Sequence, residues 1–378
     1  MKLERILVSS DLLRVTGKAQ SRAGFRTNTE FFLALLGPQL RAATRLPVSL
    51  LEWDEIGAFD GNAVYEAMGL SVDAAGWAEL YDSVPNAAAV AAFAPHVEGA
   101  LVVGFELPPF VQRILDRLGV PFVDARWHPL RFLDDIFFGF HSNVEAVVEA
   151  IEPYHLTAEE VDLHVGMHQA SAIRRQSFDS IAMDYDRLLI GQTPFDSSLV
   201  HAGRIATWDD FEPVLEKLGP DTRTGYRPHP FSPEPVASLR ALLSRHGIGI
   251  AESGSDIYRL LATGSLKELI SLSSGTLIEA SFFGIPVRRL LPERQAYLPH
   301  PPQTRRTEND QTAYVGIYHA FLSVDFWADI LRPVLGQTHR NERPLAFRAD
   351  RLRQINGSYW GYSGSGGQNL VMSYNKPE

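Results

Sequence analysis

The feature that most constrains the fold is a repeated alternation between short apolar runs and amphipathic segments. Each apolar run has the length and composition of a buried strand, and each is followed by small polar residues or by a segment with helical spacing. The alternation opens at Ile6 to Asp11 and restarts at Arg187 to Gln192. Alternating strands and helices are typical of mostly parallel sheets covered by helices. The sequence therefore predicts an α/β fold built from two serial units.

The elements that the pattern predicts fall into two groups along the chain. The predicted strands are 6–11, 47–53, 100–105, 120–124, 187–192, 224–227, 248–252, 266–272 and 286–291. The predicted helices are 28–36, 109–118, helical segments over about 142–177, 208–218, 235–246, further helices after Ser255 and Ser274, and 314–335.

Chain length supports a division into two domains. A chain of 378 residues exceeds the size at which a single hydrophobic core stops growing. We predict an N-terminal Rossmann-like domain over 1–185, a C-terminal Rossmann-like domain over 186–335, and a tail over 336–378 that packs back on the first domain. Ligands of such folds bind at the carboxyl ends of the strands, so we expect a site in the cleft between the domains.

Composition excludes several functional classes. The net charge is −10 and no Lys/Arg-rich run is present, which argues against a nucleic-acid partner. The chain has no cysteine, which excludes disulfides, thiolate nucleophiles and Cys-based metal sites and fits a cytoplasmic protein. The most apolar runs are about half of the ~20 residues that a membrane-spanning helix needs, and no signal peptide is evident. We expect at most peripheral association with the inner face of the cytoplasmic membrane.

The most informative motif lies in the range 269–287, where strand, turn, helix and Gly-x-Pro turn follow one another. The turn is Ser273-Ser274-Gly275-Thr276. Free backbone N–H groups at the helix start, together with the hydroxyls, form an anion site. The motif predicts the binding of a nucleotide phosphate.

Glu279 lies within this motif, about one helical turn after the serine turn. On the face toward the cleft, its carboxylate would accept hydrogen bonds from ribose hydroxyls. The alternative is a capped helix that carries an exposed acid.

A second motif places a histidine between two prolines. In Arg227-Pro228-His229-Pro230 the prolines fix an extended backbone at the end of a predicted strand. Such rigidity suits a side chain that must be aimed at a ligand. We expect His229 to bind a phosphate and Arg227 to bind a phosphate or carboxylate, with Pro230 beside them.

A third motif follows the first strand of the second unit. Gln192 and Asp196 lie in the loop after this strand, so both should face the cleft. Asp196 is a candidate nucleophile or base. The same aspartate could instead cap the next helix.

The first unit supplies further candidates at its strand ends. Glu106 and Asp124 are candidate general acids or bases. His128 and Arg131 are candidate ligands for an anionic acceptor or for a sugar carboxylate. A D-x-D sequence at 184–186 precedes a strand instead of following one, so we predict no metal site.

The three motifs of the second unit, in this order, resemble those of the bacterial β-Kdo transferases of capsule and O-antigen synthesis. The matching patterns are G-Q-x-x-x-D-x-S, R-P-H-P and S-S-G-T-x-x-E-A-x-x-x-G-x-P, and they cover about 188–287. The resemblance implies a GT-B fold and a metal-independent, retaining transfer of Kdo from CMP-Kdo to a lipopolysaccharide or capsular glycan, with no cofactor besides the donor.

The same resemblance assigns roles to individual residues. It implies that His229 and the turn at Ser273 and Ser274 hold CMP, and that Asp196 forms a glycosyl-enzyme intermediate. Arg227 or Arg131 would pair with the Kdo carboxylate.

Other readings of these motifs remain open. The Ser-Gly segment is also similar to that of UDP-GlcNAc 2-epimerases, which share the GT-B fold and use no acceptor. A polysaccharide pyruvyl transferase and a non-catalytic glycan-binding protein are further alternatives. Arg227 stands where the transferase pattern would have a lysine, which leaves the donor sugar open.

Overall fold

The structure is a computed structural model that describes residues 2–15, 19–53, 59–176, 185–218, 223–251, 257–301, 312–341 and 351–360. Its strands are β1 (Arg5–Ser9), β2 (Val48–Leu50), β3 (Ala100–Phe105), β4 (Phe122–Trp127), β5 (Phe138–Ser142), β6 (Arg187–Ile190), β7 (Val200–His201), β8 (Arg204–Ile205), β9 (Thr224–Arg227), β10 (Gly249–Ile250), β11 (Glu268–Ser271), β12 (Val287–Arg289), β13 (Gln295–Leu298) and β14 (Thr312–Ile317).

Helices cover the faces of the sheets in the described part of the chain. They are α1 (Ala19–Thr44), α2 (Gly61–Met68), α3 (Ala74–Asp82), α4 (Ala87–Val97), α5 (Pro109–Leu118), α6 (Glu145–Ile151), α7 (Ala158–Gln176), α8 (Glu212–Glu216), α9 (Ala237–Arg245), α10 (Ile257–Thr263), α11 (Thr276–Phe282), α12 (Val324–Leu335) and α13 (Arg351–Trp360). None of these helices is long and apolar enough to cross a membrane.

Two larger sheets organise the described residues. The first has the strand order β13-β14-β5-β4-β3-β1-β2, and all neighbours in it are parallel except those of β5. The second has the order β10-β9-β6-β11-β12 and is entirely parallel. The predicted mixed α/β class with mostly parallel sheets is thus confirmed, and the strand order of the second sheet is Rossmann-like.

The strand order fixes where a ligand can bind. In the second sheet the chain runs outward from β6 on one side and returns to β11 on the other, so the switch point lies between β6 and β11. In the first sheet the corresponding point lies between β1 and β3. Crevices in open α/β sheets form at such points, outside the carboxyl ends of the strands. The loops after these four strands are therefore placed to build a site.

The chain returns to the first sheet after β12. β13 and β14 pair with each other and with β5, and α12 packs against α1 and α6. These elements lie within 186–335, the range predicted for the second domain, and they belong to the first sheet. The predicted helix over 314–335 is wrong in its first part, because 314–317 completes strand β14. A short apolar run buried within a sheet cannot be told from a helix by periodicity alone.

The last described helix, α13, is tied to the first unit by a buried carboxylate. Asp135 is fully buried and accepts hydrogen bonds from the backbone N–H groups of Leu352 and Arg353, both at 2.8 Å. The Arg353 guanidinium donates to the carbonyl of Arg131 at 3.2 Å. Asp135 thus caps α13, and the helix in turn supports the loop that carries Arg131.

Candidate active site

A cavity of about 500 Å³ lies where the strand-end loops of the two sheets meet. All of the predicted site residues line it except Asp124 and His128. The lining residues among them are Glu106, Arg131, Gln192, Asp196, Arg227, His229, Pro230, Ser273, Ser274, Gly275, Thr276 and Glu279. Residues that are far apart in the sequence are therefore brought to one pocket.

The Gln192 side chain joins the loops that follow β6 and β11. Its Oε1 accepts a hydrogen bond from the backbone N–H of Ser273 at 2.9 Å, and its Nε2 donates to the hydroxyl of Ser198 at 3.0 Å. The hydroxyls of Ser273 and Ser198 lie 2.9 Å apart. These hydrogen bonds fix Gln192, in the loop after β6, against the serine turn that follows β11.

Most backbone N–H groups of the serine turn already donate hydrogen bonds to neighbouring protein groups. The Ser274 N–H donates to the hydroxyl of Ser271 at 3.4 Å, and the Thr276 N–H donates to the hydroxyl of Ser274 at 3.2 Å. No partner for the Gly275 N–H lies among the described residues. The expectation of several free N–H groups at this helix start is therefore reduced to the Gly275 N–H and the serine hydroxyls.

Gly275 also marks a close contact between the two units. A Cβ added at this position would lie 2.9 Å from the Cβ of Pro129, which precedes Arg131 by two residues. The lack of a side chain at Gly275 thus lets the serine turn approach the wall of the first unit. The turn and the Arg131 loop line one pocket and approach each other closely at this point.

The imidazole of His229 is held by its own loop. Its Nδ1 accepts the backbone N–H of Phe231 at 3.1 Å, so the proton of a neutral ring lies on Nε2. Burial lowers the pKa of His229, although the charge of Asp196 acts in the opposite direction. The ring is therefore a neutral N–H donor near pH 7.

Asp196 both caps a turn and faces the cavity. Its Oδ1 accepts the backbone N–H of Ser198 at 2.9 Å, at the start of a short 3₁₀ turn over Ser197–Leu199. The preceding residue, Phe195, has φ of 63°, a strained value for a bulky side chain. The capping role and the site role foreseen for Asp196 are therefore compatible in one conformation.

Glu106 is the second carboxylate at the cavity, and its backbone is also strained. Its φ is 57°, and its N–H donates to the carbonyl of Ala125 at 2.8 Å. Burial raises the pKa of Glu106, the charge of Arg126 lowers it, and the charge of Asp196 raises it. Asp196 is therefore close enough to influence the charge of Glu106, and two neighbouring carboxylates are a common arrangement in acid–base sites.

Glu279 is bound by protein groups from the first unit and from α10. Its Oε1 accepts the backbone N–H of Arg131 at 2.6 Å and the hydroxyl of Tyr258 at 3.1 Å. The residue is 3% exposed, and burial raises its pKa to about 7. Glu279 thus connects the two units across the cavity, which the motif alone did not indicate.

The raised pKa of Glu279 gives a testable pH dependence. Because its pKa of about 7 in the folded state exceeds the ordinary 4.5, the native protein keeps a proton that the unfolded chain releases between these values. Stability is therefore lost as the pH rises through this window. We expect Glu279→Gln to be more stable than the parent at pH 8, by about 2 kcal/mol, and the difference to shrink toward pH 4.5.

Denaturant unfolding at pH 5 and pH 8 measures this effect. Gln keeps an oxygen that can accept from Arg131 and Tyr258, so the substitution removes the charge and leaves the contacts. The matched control is Glu216→Gln at an exposed position of α8, which should leave the pH profile unchanged. A Glu279→Gln protein that is less stable than the parent at pH 8 would contradict this interpretation of its burial.

The predicted site needs one correction, because Asp124 and His128 do not line the cavity. Asp124 is fully buried, and its carboxylate accepts from the backbone of Leu107 at 2.9 Å and from Tyr314 at 2.6 Å. The ring of His128 is stacked 4.3 Å from that of Phe137, and burial lowers its pKa to about 3. Both residues are buried behind the cavity wall, whereas their neighbours Arg126, Trp127 and Pro129 line the cavity.

Several cavity residues with charged, hydroxyl or aromatic side chains were not predicted from the sequence. They are Tyr81, Arg126, Trp127, Tyr258, Arg289, Glu293, Arg294 and Tyr297. Arg126 had a signal in the sequence, because it lies two positions after Asp124 on β4 and shares its side of the strand. Arg289 lies in the predicted strand over 286–291, and the residues at 293–297 belong to no predicted element and to no motif.

Among the described residues, no three His, Asp or Glu side chains group in a way that could hold a metal ion. Of the D-x-D sequence, Asp184 lies outside the described residues. Asp186 pairs with Arg223 at 3.4 Å and with Lys267 at 3.6 Å.

Comparison with known proteins gives little beyond this geometry. No protein-family model matches the chain, and no curated protein matches it in sequence. One similar solved structure is KpsC, a beta Kdo 2,7 transferase from Thermosulfurimonas dismutans. It is 13% identical, covers 86% of this chain and 90% of its own, and has a TM-score of 0.35. A likeness of this size assigns neither a family nor an activity.

Proposed function

We propose that this chain is a glycosyltransferase that moves a 2-keto sugar acid such as Kdo from a CMP-activated donor to a bacterial surface polysaccharide or glycolipid. The observation that carries the proposal is the set of charged residues that line the cavity. In a chain with a net charge of −10, five arginines (Arg126, Arg131, Arg227, Arg289 and Arg294) line it beside Glu279, Glu293 and the candidate catalytic carboxylates Glu106 and Asp196. Arginines suit a ligand with both a phosphate and a carboxylate, and the two acids suit transfer chemistry.

The donor phosphate fits the side of the cavity that the second sheet builds. His229 offers a neutral Nε2–H donor, and the hydroxyls of Ser273 and Ser274 lie in the adjacent turn. A volume of about 500 Å³ is within the range of pockets that bury small organic ligands. The acceptor then enters from the side of Glu106 on the first unit, which we assign as the acceptor side.

The chemistry follows from the two carboxylates. Asp196 attacks the anomeric carbon, the bond from this carbon to the CMP phosphate oxygen breaks, and CMP leaves with the bonding electrons. Glu106 then takes the proton of an acceptor hydroxyl, whose oxygen attacks the same carbon and releases Asp196. Two displacements leave the anomeric configuration retained. N–H donors of arginine and histidine stabilise the negative charge of the leaving phosphate in place of a metal ion.

Nucleotide selectivity tests the proposal. We expect CMP to raise Tm by about 2–5 °C at a concentration near 100 times its Kd, and UDP and ADP to have smaller effects. His229→Gln should weaken the response to CMP, because a donor to the phosphate is displaced. Thermal unfolding of both proteins with each nucleotide measures this. A response selective for UDP would contradict the CMP assignment and favour an isomerase of the UDP-GlcNAc 2-epimerase kind.

A further inference from the structure

Arg126 differs from the other cavity arginines in how it is held. Its Nε donates to Asp124 at 3.2 Å and to the hydroxyl of Tyr314 at 2.9 Å, and its Nη2 donates to the carbonyl of Leu107. The side chain is 7% exposed, yet it lines the cavity. One edge of the guanidinium is therefore fixed in the wall of the first unit, so little conformational entropy remains to be lost on binding.

The other terminal nitrogen of the Arg126 guanidinium, Nη1, is not held by the wall. No partner for Nη1 lies among the described residues, and this nitrogen is not among the buried atoms that lack a partner. It therefore keeps contact with the open space of the cavity. A positively charged donor in a largely dry wall gains most from an anionic acceptor.

Two phenols and a carboxyl group share the cavity with this guanidinium. Tyr81, Tyr297 and Glu106 all line the cavity, and the charge of Arg126 lowers the pKa of each against the effect of burial. Arg126 is thus within electrostatic range of all three. A guanidinium and phenol hydroxyls that line one cavity are suited to a ligand that carries a carboxylate beside hydroxyls, as a sugar acid does.

Other arginines of the cavity are engaged elsewhere. The Arg294 guanidinium forms an ion pair with Asp82. The Arg289 guanidinium donates to the carbonyl of Ser273 at 2.9 Å and lies 3.5 Å from Glu293.

Arg131 and Arg227 are the two arginines that the motif resemblance favoured. The Arg131 guanidinium lies 5.0 Å from the ring centre of Trp127, beside the buried Glu279. Arg227 ends β9 and precedes His229 by two residues, which places it on the phosphate side.

We propose that Arg126, with the hydroxyls of Tyr81 and Tyr297, forms the subsite that recognises the carboxylate of the transferred sugar. This inference rests on the proposed function and deepens it, because it names the group that selects an acidic sugar over a neutral one. Asp124, which was foreseen as an acid or base, is in this account a positioning residue for Arg126. The nucleotide phosphate lies across the cavity, near His229.

A chemical double-mutant cycle tests the subsite. The ligands are CMP, a CMP-activated 2-keto sugar acid, and the same donor with its carboxylate converted to a carboxamide. Binding to the parent protein and to Arg126→Lys is measured by calorimetry. We expect the parent to prefer the acid over the amide about 30-fold, and the variant to lose most of this preference while its affinity for CMP changes less than about threefold.

A second variant keeps the test independent of folding problems. Asp124→Asn combined with Arg126→Gln removes both charges of the buried ion pair, so no uncompensated charge remains in the wall. CMP binding reports that each variant is folded. Arg131→Gln and Arg227→Gln are the comparison variants, and both should keep the preference for the acid.

The outcomes separate this inference from the function on which it rests. If the preference for the acid survives in both Arg126 variants, the proposed subsite is wrong. The same holds if the preference is lost in Arg131→Gln or Arg227→Gln instead. In either case, CMP binding by the parent protein would still support the proposed function. A parent protein that binds neither CMP nor the activated sugar acid overturns both.

Discussion

Asp196→Asn is expected to bind CMP normally and to transfer sugar at least about 10³-fold more slowly than the parent. The asparagine keeps an Oδ1 that can accept the Ser198 N–H, so the cap of the short turn survives. It lacks the negative charge needed to form a bond to the anomeric carbon. The loss should therefore appear in kcat and leave the affinity for the nucleotide unchanged.

The matched control for Asp196 is Asp210→Asn. Asp210 also caps a 3₁₀ turn of the second unit, by accepting the Thr207 N–H at 2.8 Å, but it lies outside the cavity. This variant should transfer sugar at the parental rate. Steady-state transfer assays and nucleotide calorimetry on both variants give the comparison. Transfer by Asp196→Asn within tenfold of the parental rate would remove Asp196 from the catalytic step.

Glu106→Gln is expected to slow transfer by about 10²–10³-fold, since a positioned general base contributes an effect of this size. The pH profile should change as well. Burial raises the pKa of Glu106, so the ionised form that accepts a proton becomes populated only as the pH rises through a value above the ordinary 4.5. The parental rate should therefore increase with pH over this limb, and the glutamine variant should lack the limb.

Donor turnover in the absence of an acceptor distinguishes the role of Glu106 from that of Asp196. If Glu106 serves mainly to activate the acceptor, Glu106→Gln should still release CMP in a first turnover, whereas Asp196→Asn should not. Rapid-quench measurement of CMP release provides this test. A Glu106→Gln protein with the parental rate and the parental pH limb would place the acceptor base elsewhere.

Local sequence patterns predicted the elements that depend on local interactions. The strands over 100–105 and 224–227 and the helix over 109–118 have the predicted bounds. Their apolar runs are closed by glycine, proline or a clear change of period, which are local signals. By contrast, β5 and β14 owe their strand form to pairing with each other and with β4 and β13, and nothing in their own segments separates them from helix or loop.

The same distinction between local and long-range interactions applies to the residues of the site. The motif residues Gln192, Asp196, His229 and Ser273 follow strands of one parallel sheet, and such strand ends share an edge, so their convergence could be predicted. Tyr81 reaches the cavity from α3, and Arg294 from the segment where the chain returns to the first sheet. Their positions depend on the tertiary path, which no spacing in the sequence encodes.

The central claim is that this cavity binds CMP and an activated sugar acid between the strand ends of the two sheets. A crystal structure of the protein with CMP tests it most directly. The account predicts the phosphate within hydrogen-bonding distance of His229 Nε2 and of a hydroxyl of Ser273 or Ser274, with the open side of the cavity toward Asp196 and Glu106. Nucleotide bound away from this cavity, or a phosphate remote from His229 and the serine turn, would contradict it.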